Sequence, residues 1–295
     1  MSIESRLLPI VAITGSSLMV GCGGSGPSCG SYGSYGSYGS FGSYGSLGAS
    51  RGRPRSNRSA RADRMAGAAP AAPGPAACAA PAGADGYYEG TLTDASTQSE
   101  NPVVAIIAEN GDGRMSGQNG AYYHLNVAES GINVSGSYYG YSQVPGAPIG
   151  SQSTSGTVSA VVTAPGLSGT LTSQVGGTGN LLLNFDNVYN LGSSLTTLVG
   201  TWNYSMNGFN LTAQIQADGT FSANDSNGCS YSGAFGLIDA NFNAYSDRYV
   251  RSCNGVNLTF TGLATYLPAT GNAVPARIKM LSDDNAGDFL VADFQ

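Results

Sequence analysis

The single histidine of this chain, His124, is the residue best suited to acid–base chemistry, because an imidazole exchanges its proton near neutral pH. It lies in the alternating run Tyr122-Tyr123-His124-Leu125, which predicts a β-strand. A ring on one face of a strand is typically packed or exposed rather than catalytic. An enzyme would need a fold that brings His124 and carboxylates together in a cleft, and we predict no catalytic residues.

The acidic residues are scattered along the chain. Three aspartates lie at or beside predicted turns, where short polar side chains bond to the backbone: Asp112, Asp218 and Asp225. Three glutamates are too isolated in sequence to indicate the paired carboxylates of a glycoside hydrolase: Glu89, Glu109 and Glu129. The acids therefore predict no reaction.

One acidic segment has the ligand types that calcium prefers, namely Asp283, Asp284, Asn285 and Asp288. Its spacing is not that of a known calcium loop, and a polar hairpin connection explains it more simply. The sequence also has no Cys-x-x-Cys pair, no phosphate-cradling glycine loop and no nucleophile elbow. We predict no metal site, no cofactor and no enzymatic activity.

The N-terminus carries Arg6, then the apolar stretch 7–20, and ends in Leu18-Met19-Val20-Gly21-Cys22. This layout resembles the signal of bacterial lipoproteins. The resemblance implies that 1–21 is a signal peptide, that cleavage leaves Cys22 as the first residue, and that its sulfur carries lipid, with palmitate among the acyl chains.

The residue after the cysteine is Gly23, and in this family a residue other than aspartate there implies sorting to the outer membrane. Which face of that membrane the protein occupies stays open. The alternative is an ordinary signal peptide cut nearby, or an apolar N-terminus without targeting function, either of which leaves Cys22 as a free thiol.

The segment 22–85 has a composition that cannot build a core. Glycine recurs at every third position over 30–46, arginines crowd 51–64, and alanine and proline follow to 83. Such a segment buries too little apolar area to offset its ordering entropy. We predict a disordered tether.

Six arginines give this tether a basic character: Arg51, Arg53, Arg55, Arg58, Arg61 and Arg64. In an exported lipoprotein they would contact an anionic envelope surface rather than RNA; the alternative is a set of solvated spacer charges. The segment from residue 86 onward is acidic, which argues against a nucleic-acid partner. The predicted partners are thus the membrane, through the lipid, and an anionic envelope surface.

From residue 86 to 295 the composition is that of an antiparallel β protein, with short alternating runs separated by turn dipeptides. The predicted strands are 87–93, 103–109, 122–127, 133–141, 157–163, 169–172, 181–185, 200–205, 211–217, 231–235, 244–252, 257–263, 276–281 and 289–294. Hairpin turns are predicted at Asn110-Gly111, Asp112-Gly113, Asp218-Gly219, Asn227-Gly228 and Asn254-Gly255.

The two halves, 86–195 and 196–295, resemble each other weakly. In each half a strand leads into an Asn-Gly or Asp-Gly turn, over 103–111 and 211–219. About 100 residues suit a barrel of roughly eight short strands. The predicted fold class is all-β, an antiparallel meander forming two small tandem β-barrels behind the tether; one interlocked β unit is the alternative.

The tripeptide Gly200-Thr201-Trp202 is similar to the Gly-x-Trp that opens lipocalin-type (calycin) barrels. That resemblance implies that Trp202 closes one end of a ligand cavity, and it supports a small-ligand carrier as the alternative function. The chain as a whole resembles bacterial lipoproteins, themselves uncharacterised, that carry β-rich bodies behind Gly-rich tethers. This second resemblance implies a location and no reaction.

Cysteine usage follows from export, because an oxidising compartment favours disulfides. Cys229 and Cys253 flank one predicted hairpin, so neighbouring strands would bring them within bonding distance. Cys29 and Cys78 lie in the tether and either pair with each other or stay free.

The aromatic run Tyr138-Tyr139-Gly140-Tyr141 is a candidate ligand-contact patch, because tyrosine offers a large contact area at low entropy cost. Trp202 is the fourth candidate, and packing along a strand is the alternative for the tyrosines. The leading function is a non-enzymatic, lipid-anchored envelope protein that presents β modules for binding or envelope structure, with an unknown ligand. The calycin-like carrier is the alternative, and an envelope enzyme is the distant third.

Overall fold

The computed structural model describes residues 83–142, 152–271 and 273–295. The predicted signal peptide, Cys22, residues 22–82 of the tether with its six arginines, Cys29 and Cys78 lie outside the described residues. The last residues assigned to the tether, 83–85, are described, and the prediction is wrong for Ala84, which is buried in the core of the first barrel. Within the described ranges, no helix is long and apolar enough to cross a membrane.

The first eight strands form a closed antiparallel barrel in which each strand pairs with the next and the last pairs with the first. The strands are β1 (Gly86–Asp94), β2 (Glu100–Ile107), β3 (Asp112–Gly117), β4 (Ala121–Ser130), β5 (Asn133–Ser142), β6 (Gln152–Val162), β7 (Gly166–Ser173) and β8 (Thr178–Asp186). Two short 3₁₀ helices, Asn187–Asn190 and Leu195–Leu198, then lead to the second barrel.

The second barrel is another eight-stranded antiparallel meander and is nearly closed. Its strands are β9 (Gly200–Met206), β10 (Phe209–Ile215), β11 (Thr220–Asp225), β12 (Ser230–Leu237), β13 (Tyr245–Cys253), β14 (Val256–Leu267), β15 (Arg277–Asp283) and β16 (Phe289–Phe294). The backbone groups of Asn203 and Gln295 exchange two N–H···O bonds of 2.8 Å, which bring the first and last strands together.

The predicted all-β fold of two tandem barrels is confirmed. Strands β3 and β11 were absent from the sequence prediction, and the turn predicted at Asp112-Gly113 is wrong because both residues belong to β3. The turn lies two residues earlier, at the other predicted position, Asn110-Gly111, where Gly111 has φ +80°. The Asp112 N–H donates to Asn110 Oδ1 over 3.0 Å. This shift turns Asp112 from a turn residue into a strand residue.

Alternation along the strands fills the barrels with apolar side chains. In β10, Leu211, Ala213 and Ile215 are buried, and the residues between them are exposed. This period of two is the pattern expected for a strand with one buried face. In the first barrel the same alternation places every second side chain on the outer surface, where it can contact a ligand.

The two barrels pack against each other. The outer faces of β14 and β15, in the second barrel, contact β2 and β3 of the first. Leu263 and Leu281 of those strands are buried in the hydrophobic core of the first barrel. The Tyr122 and Phe289 rings stack across the contact, with centroids 5.1 Å apart and planes at 15°. Burial of this apolar area against the first barrel stabilises the pair as one unit.

The disulfide between Cys229 and Cys253 is confirmed, and it joins the open ends of the β12–β13 hairpin. Their neighbours Ser230 and Ser252 face each other in the ladder. Because the bond closes a loop with a sequence separation of 24, replacing both cysteines with serine is expected to lower the free energy of unfolding by about 3 kcal/mol. Urea unfolding of both proteins measures this loss.

The control for that experiment is the effect of a reductant. Reduction should lower the unfolding midpoint of the native chain and leave the midpoint of the doubly substituted protein unchanged. A native chain whose midpoint ignores the reductant would contradict a stabilising role for this bond.

Candidate functional site

An open cleft of about 540 Å³ lies on the outer face of the first barrel, across β4, β5 and β6. Polar amides, hydroxyls and aromatic rings make up its lining. The lining residues are His124, Asn126, Ser137, Tyr138, Tyr139, Tyr141, Ser155, Gly156, Gln174 and Asn285. Asn285 comes from the β15–β16 connection, so both barrels contribute to the cleft.

Strand register explains why these side chains meet. His124 faces Tyr139 across the β4–β5 ladder, and Tyr139 faces Ser155 across the β5–β6 ladder. Asn126 faces Ser137 in the same way. Because successive side chains alternate between faces, these residues share the outer face while Leu125 between them points into the core.

All three candidate tyrosines border this cleft, but Tyr138 points into the core with Leu125, whereas Tyr139 and Tyr141 share the outer face. Tyr139 is 54% exposed, and its ring centroid lies 6.1 Å from that of Tyr141 at an angle of 41°. Tyr141 and Tyr138 are nearly buried. A Cβ at Gly156 would come within 2.6 Å of Tyr138 Cε1, so glycine is needed for the Tyr138 ring to lie there. Tyr139 is therefore the aromatic face available to a ligand.

Trp202 lies apart from the tyrosines, inside the second barrel. It is 9% exposed, and its indole N–H donates to the Leu198 carbonyl oxygen over 2.8 Å. The apolar cavity that it lines measures about 20 Å³, whereas small-molecule pockets occupy about 300 Å³ or more. Trp202 thus packs in a filled core, and the cavity beside it leaves no room for a carried ligand.

A cluster of charged side chains connects the cleft to the contact between the barrels. Arg114 bonds to Asp112, and its Nε lies 3.2 Å from Asp283 Oδ1, close enough for an ion pair although not aligned for a hydrogen bond. The Tyr122 hydroxyl donates to the same Asp283 oxygen over 3.3 Å. His124 Nε2 lies 3.3 Å from Asp112 Oδ1, and Nδ1 lies 3.4 Å from Asp283 Oδ2.

These contacts set the charge of His124. Partial burial lowers its pKa, but hydrogen bonds to Asp112 and Asp283 outweigh burial and raise the pKa to about 9. Both ring nitrogens then carry protons and face carboxylates. The fold therefore brings His124 and two carboxylates together beside a cleft, which is the arrangement that an enzyme would need. The imidazolium has no lone pair to accept a proton, so it is poorly placed to act as a general base near neutral pH.

The same hydrogen bonds act on Asp112. Burial raises the pKa of Asp112, but the bond from His124 and the charge of Arg114 lower it by a larger amount. The pKa of Asp112 therefore lies below its usual value. With His124 and Arg114 positive and two carboxylates negative, the charges of this cluster balance. The cleft therefore presents little net charge to a ligand.

A second buried carboxyl, Asp247, lies inside the second barrel near this cluster. Burial raises its pKa to about 7, although a hydrogen bond from Ser282 opposes this shift. The Ser282 hydroxyl donates to Asp247 Oδ1 over 2.8 Å, reaching past Gly262, which lies between them in the ladder. A Cβ at Gly262 would come within 2.6 Å of Ser282 Oγ, so only glycine leaves room for this contact.

The acidic segment weighed for calcium engages its carboxylates with the protein itself. Asp284 Oδ1 accepts the backbone N–H groups of Ala286, Gly287 and Asp288, and the Asp288 side chain pairs with Arg251. Throughout the described part of the chain, no group of three or more His, Cys, Asp or Glu side chains is arranged to hold a metal ion. The segment acts as a hairpin connection.

Sequence reasoning missed Asp112 and Asp283 as partners of His124, and Arg114 as the second cation that shares these two carboxylates. The sequence contained part of the signal for this cluster. Once the turn is placed at Asn110-Gly111, Asp112 and Arg114 lie two residues apart in one strand and therefore on the same face. Asp283 has no such local signal, since its neighbour across the contact, Tyr122, is 161 residues away in sequence.

Comparison with protein-family models, with curated proteins and with solved structures finds no match to this chain, so its site is read from its own residues alone.

Proposed function

We propose that the protein is a non-enzymatic, lipid-anchored envelope protein whose first barrel binds a polar ligand in the cleft across β4, β5 and β6. The observation that carries this proposal is the open volume of about 540 Å³, lined by amides, hydroxyls and the exposed Tyr139 ring. Concave sites with a few convergent polar groups are the usual form of ligand pockets.

The charge state of His124 supports binding rather than catalysis. Its two ring nitrogens are engaged by Asp112 and Asp283, so the one histidine of the chain is committed to holding the site together. A ligand in the cleft would meet a charged imidazolium held between two carboxylates, which argues against a general base at this position.

The anchor part of the proposal rests on the N-terminal resemblance to lipoprotein signals. Lipid on Cys22 would hold the chain at the outer membrane, and the six arginines of the tether would lie against an anionic envelope surface. One acyl chain alone binds membranes weakly, so several chains, or one chain plus a basic segment, are needed for stable anchoring. The basic tether fits the second of these roles.

One experiment in a Gram-negative host tests anchor and cleft together. The full chain, its Cys22→Ala variant and a Cys22→Ala/Tyr139→Ala variant are followed by intact mass and by envelope fractionation. The unsubstituted chain should carry lipid mass and stay with the outer membrane. The Cys22→Ala variant should lose the lipid and still co-sediment with purified envelope material. At about 1 M salt, which screens the attraction of the tether arginines, adding Tyr139→Ala should abolish the co-sedimentation that remains.

The matched control is Leu182→Ala in the Cys22→Ala background, because Leu182 is as exposed as Tyr139 on the same barrel but lies outside the cleft. It should co-sediment as the Cys22→Ala chain does. An unlipidated, soluble native chain would overturn the anchor, and co-sedimentation that is insensitive to Tyr139 would overturn the cleft.

A further inference from the structure

We infer that the ligand of this cleft is an uncharged saccharide chain, bound along the outer face of the first barrel through Tyr139 and the surrounding amide and hydroxyl groups. This inference rests on the proposed binding function and names its ligand class. Four properties of the lining, namely its charge, its hydrogen-bonding groups, its exposed aromatic ring and its extent, point to this class.

Charge is the first property. Among the described residues that line the cleft, His124 is the one that is charged, and behind it the carboxylates of Asp112 and Asp283 pair with both His124 and Arg114. The nearby Asp284, whose charge acts on Tyr141, has one carboxylate oxygen engaged by three backbone N–H groups. A phosphate, carboxylate or ammonium ligand would find no unpaired counter-charge among these side chains. Because the cleft is open to solvent, a charge on a ligand would stay hydrated and would gain no ion pair from the lining. The affinity must therefore come from hydrogen bonds and ring contacts, which an uncharged molecule can make in full.

Hydrogen-bonding capacity is the second property. Asn126, Gln174 and Asn285 are exposed amides, and an amide both donates and accepts. The Ser137 hydroxyl also does both, whereas the Ser155 hydroxyl donates to Gln174 Oε1 and offers a ligand its lone pairs. A sugar hydroxyl is likewise donor and acceptor, so a ring carrying several hydroxyls can pair with this lining in a way that an apolar or acceptor-only ligand cannot.

The exposed aromatic ring gives the third argument. The Tyr139 ring is 54% exposed and is tilted against Tyr141, which limits its freedom to turn away. A pyranose ring has one face of C–H groups that packs on the negative face of an aromatic ring, while its hydroxyls remain at the edge. Tyr139 would therefore hold the flat face of one sugar unit while the amides bond to its rim.

The extent of the cleft favours a chain over a single sugar. The lining runs from His124 on β4 to Gln174 at the end of β7, where Gln174 Oε1 accepts from the Ser155 hydroxyl over 2.8 Å. Four neighbouring strands span about 14 Å, which exceeds one sugar ring. The side open to solvent lets a longer glycan continue beyond the cleft.

Saturation-transfer difference NMR of the lipid-free full chain (Cys22→Ala) tests this inference. The neutral probes are cellotriose, maltotriose and tri-N-acetylchitotriose; the comparison probes are trigalacturonate, which is anionic, and triglycine. We expect at least one neutral trisaccharide to show transfer to its ring protons. Tyr139→Ala should weaken that binding by about tenfold or more, and Leu182→Ala should leave it unchanged.

Each result separates the ligand class from the proposed function. If trigalacturonate or triglycine binds in a Tyr139-dependent manner and no neutral trisaccharide does, the saccharide inference is overturned while the binding cleft stands. Neutral trisaccharide binding that Tyr139→Ala leaves intact overturns the assignment to this cleft. If no probe binds and the Cys22→Ala chain also fails to co-sediment with envelope material, both proposals fall.

Discussion

Replacing Arg114 with methionine is expected to lower the free energy of unfolding by about 3 kcal/mol, the lower end of the range for breaking a buried ion pair, because His124 and Tyr122 remain beside Asp283. Arg114 is 2% exposed and Asp283 is fully buried, so the substitution leaves the Asp283 charge without its guanidinium partner. Urea unfolding at neutral pH, compared with the native chain, measures the loss.

A double variant separates charge from packing in this experiment. Arg114→Met combined with Asp283→Asn removes both charges and keeps similar volumes, so it should recover a large part of the lost stability. If the single Arg114→Met variant differs from the native chain by less than about 0.5 kcal/mol, the cluster does not stabilise the contact between the barrels.

The second large effect concerns Asp247, whose buried carboxyl should make stability depend on pH. Because burial raises the pKa of Asp247 to about 7 in the folded chain, against about 3.9 in an unfolded one, ionisation penalises the folded state. The penalty is absent below about pH 4, grows as pH rises, and is complete above about pH 7, at about 4 kcal/mol.

Asp247→Asn should therefore raise the free energy of unfolding by about 4 kcal/mol at about pH 8 and change it little at about pH 4. Denaturant unfolding of both proteins at the two pH values measures the difference. Asp218→Asn, at an exposed turn, is the matched control and should give no gain at the higher pH. An equal effect of Asp247→Asn at both pH values would rule out ionisation as the cause.

The fold was predictable because its information is local. Alternation with a period of two sets each strand, and the Gly111 and Gly219 turns, with φ of +80° and +84°, mark hairpins that any antiparallel meander requires. The weak repeat between 103–111 and 211–219 also corresponds to structure, since both segments connect the second strand of a barrel to its third. Local signals of this kind do not depend on how the barrels meet.

The site was only partly predictable, for the opposite reason. The aromatic run with Tyr139 and Tyr141 is visible in the sequence of one strand, and its role in ligand contact stays a prediction. The partners of His124, by contrast, come from two barrels. Asp283 reaches His124 only because β15 packs against the first barrel, and no sequence period encodes that contact. Placing a turn at Asp112-Gly113 then hid the strand that carries Arg114.

The closed order of the first barrel has a consequence for how quickly it folds. Seven of its pairings join strands that follow each other in sequence. The eighth joins β1 to β8, with Tyr87 opposite Asp186, so it must bring together the two ends of the chain segment that forms the barrel. Local hairpins form within microseconds, but closing a long loop carries an entropy cost before any contact repays it. The seam between β1 and β8 is therefore expected to form last and to set the folding rate, so that substitutions there act on the speed of folding more than those within any single hairpin.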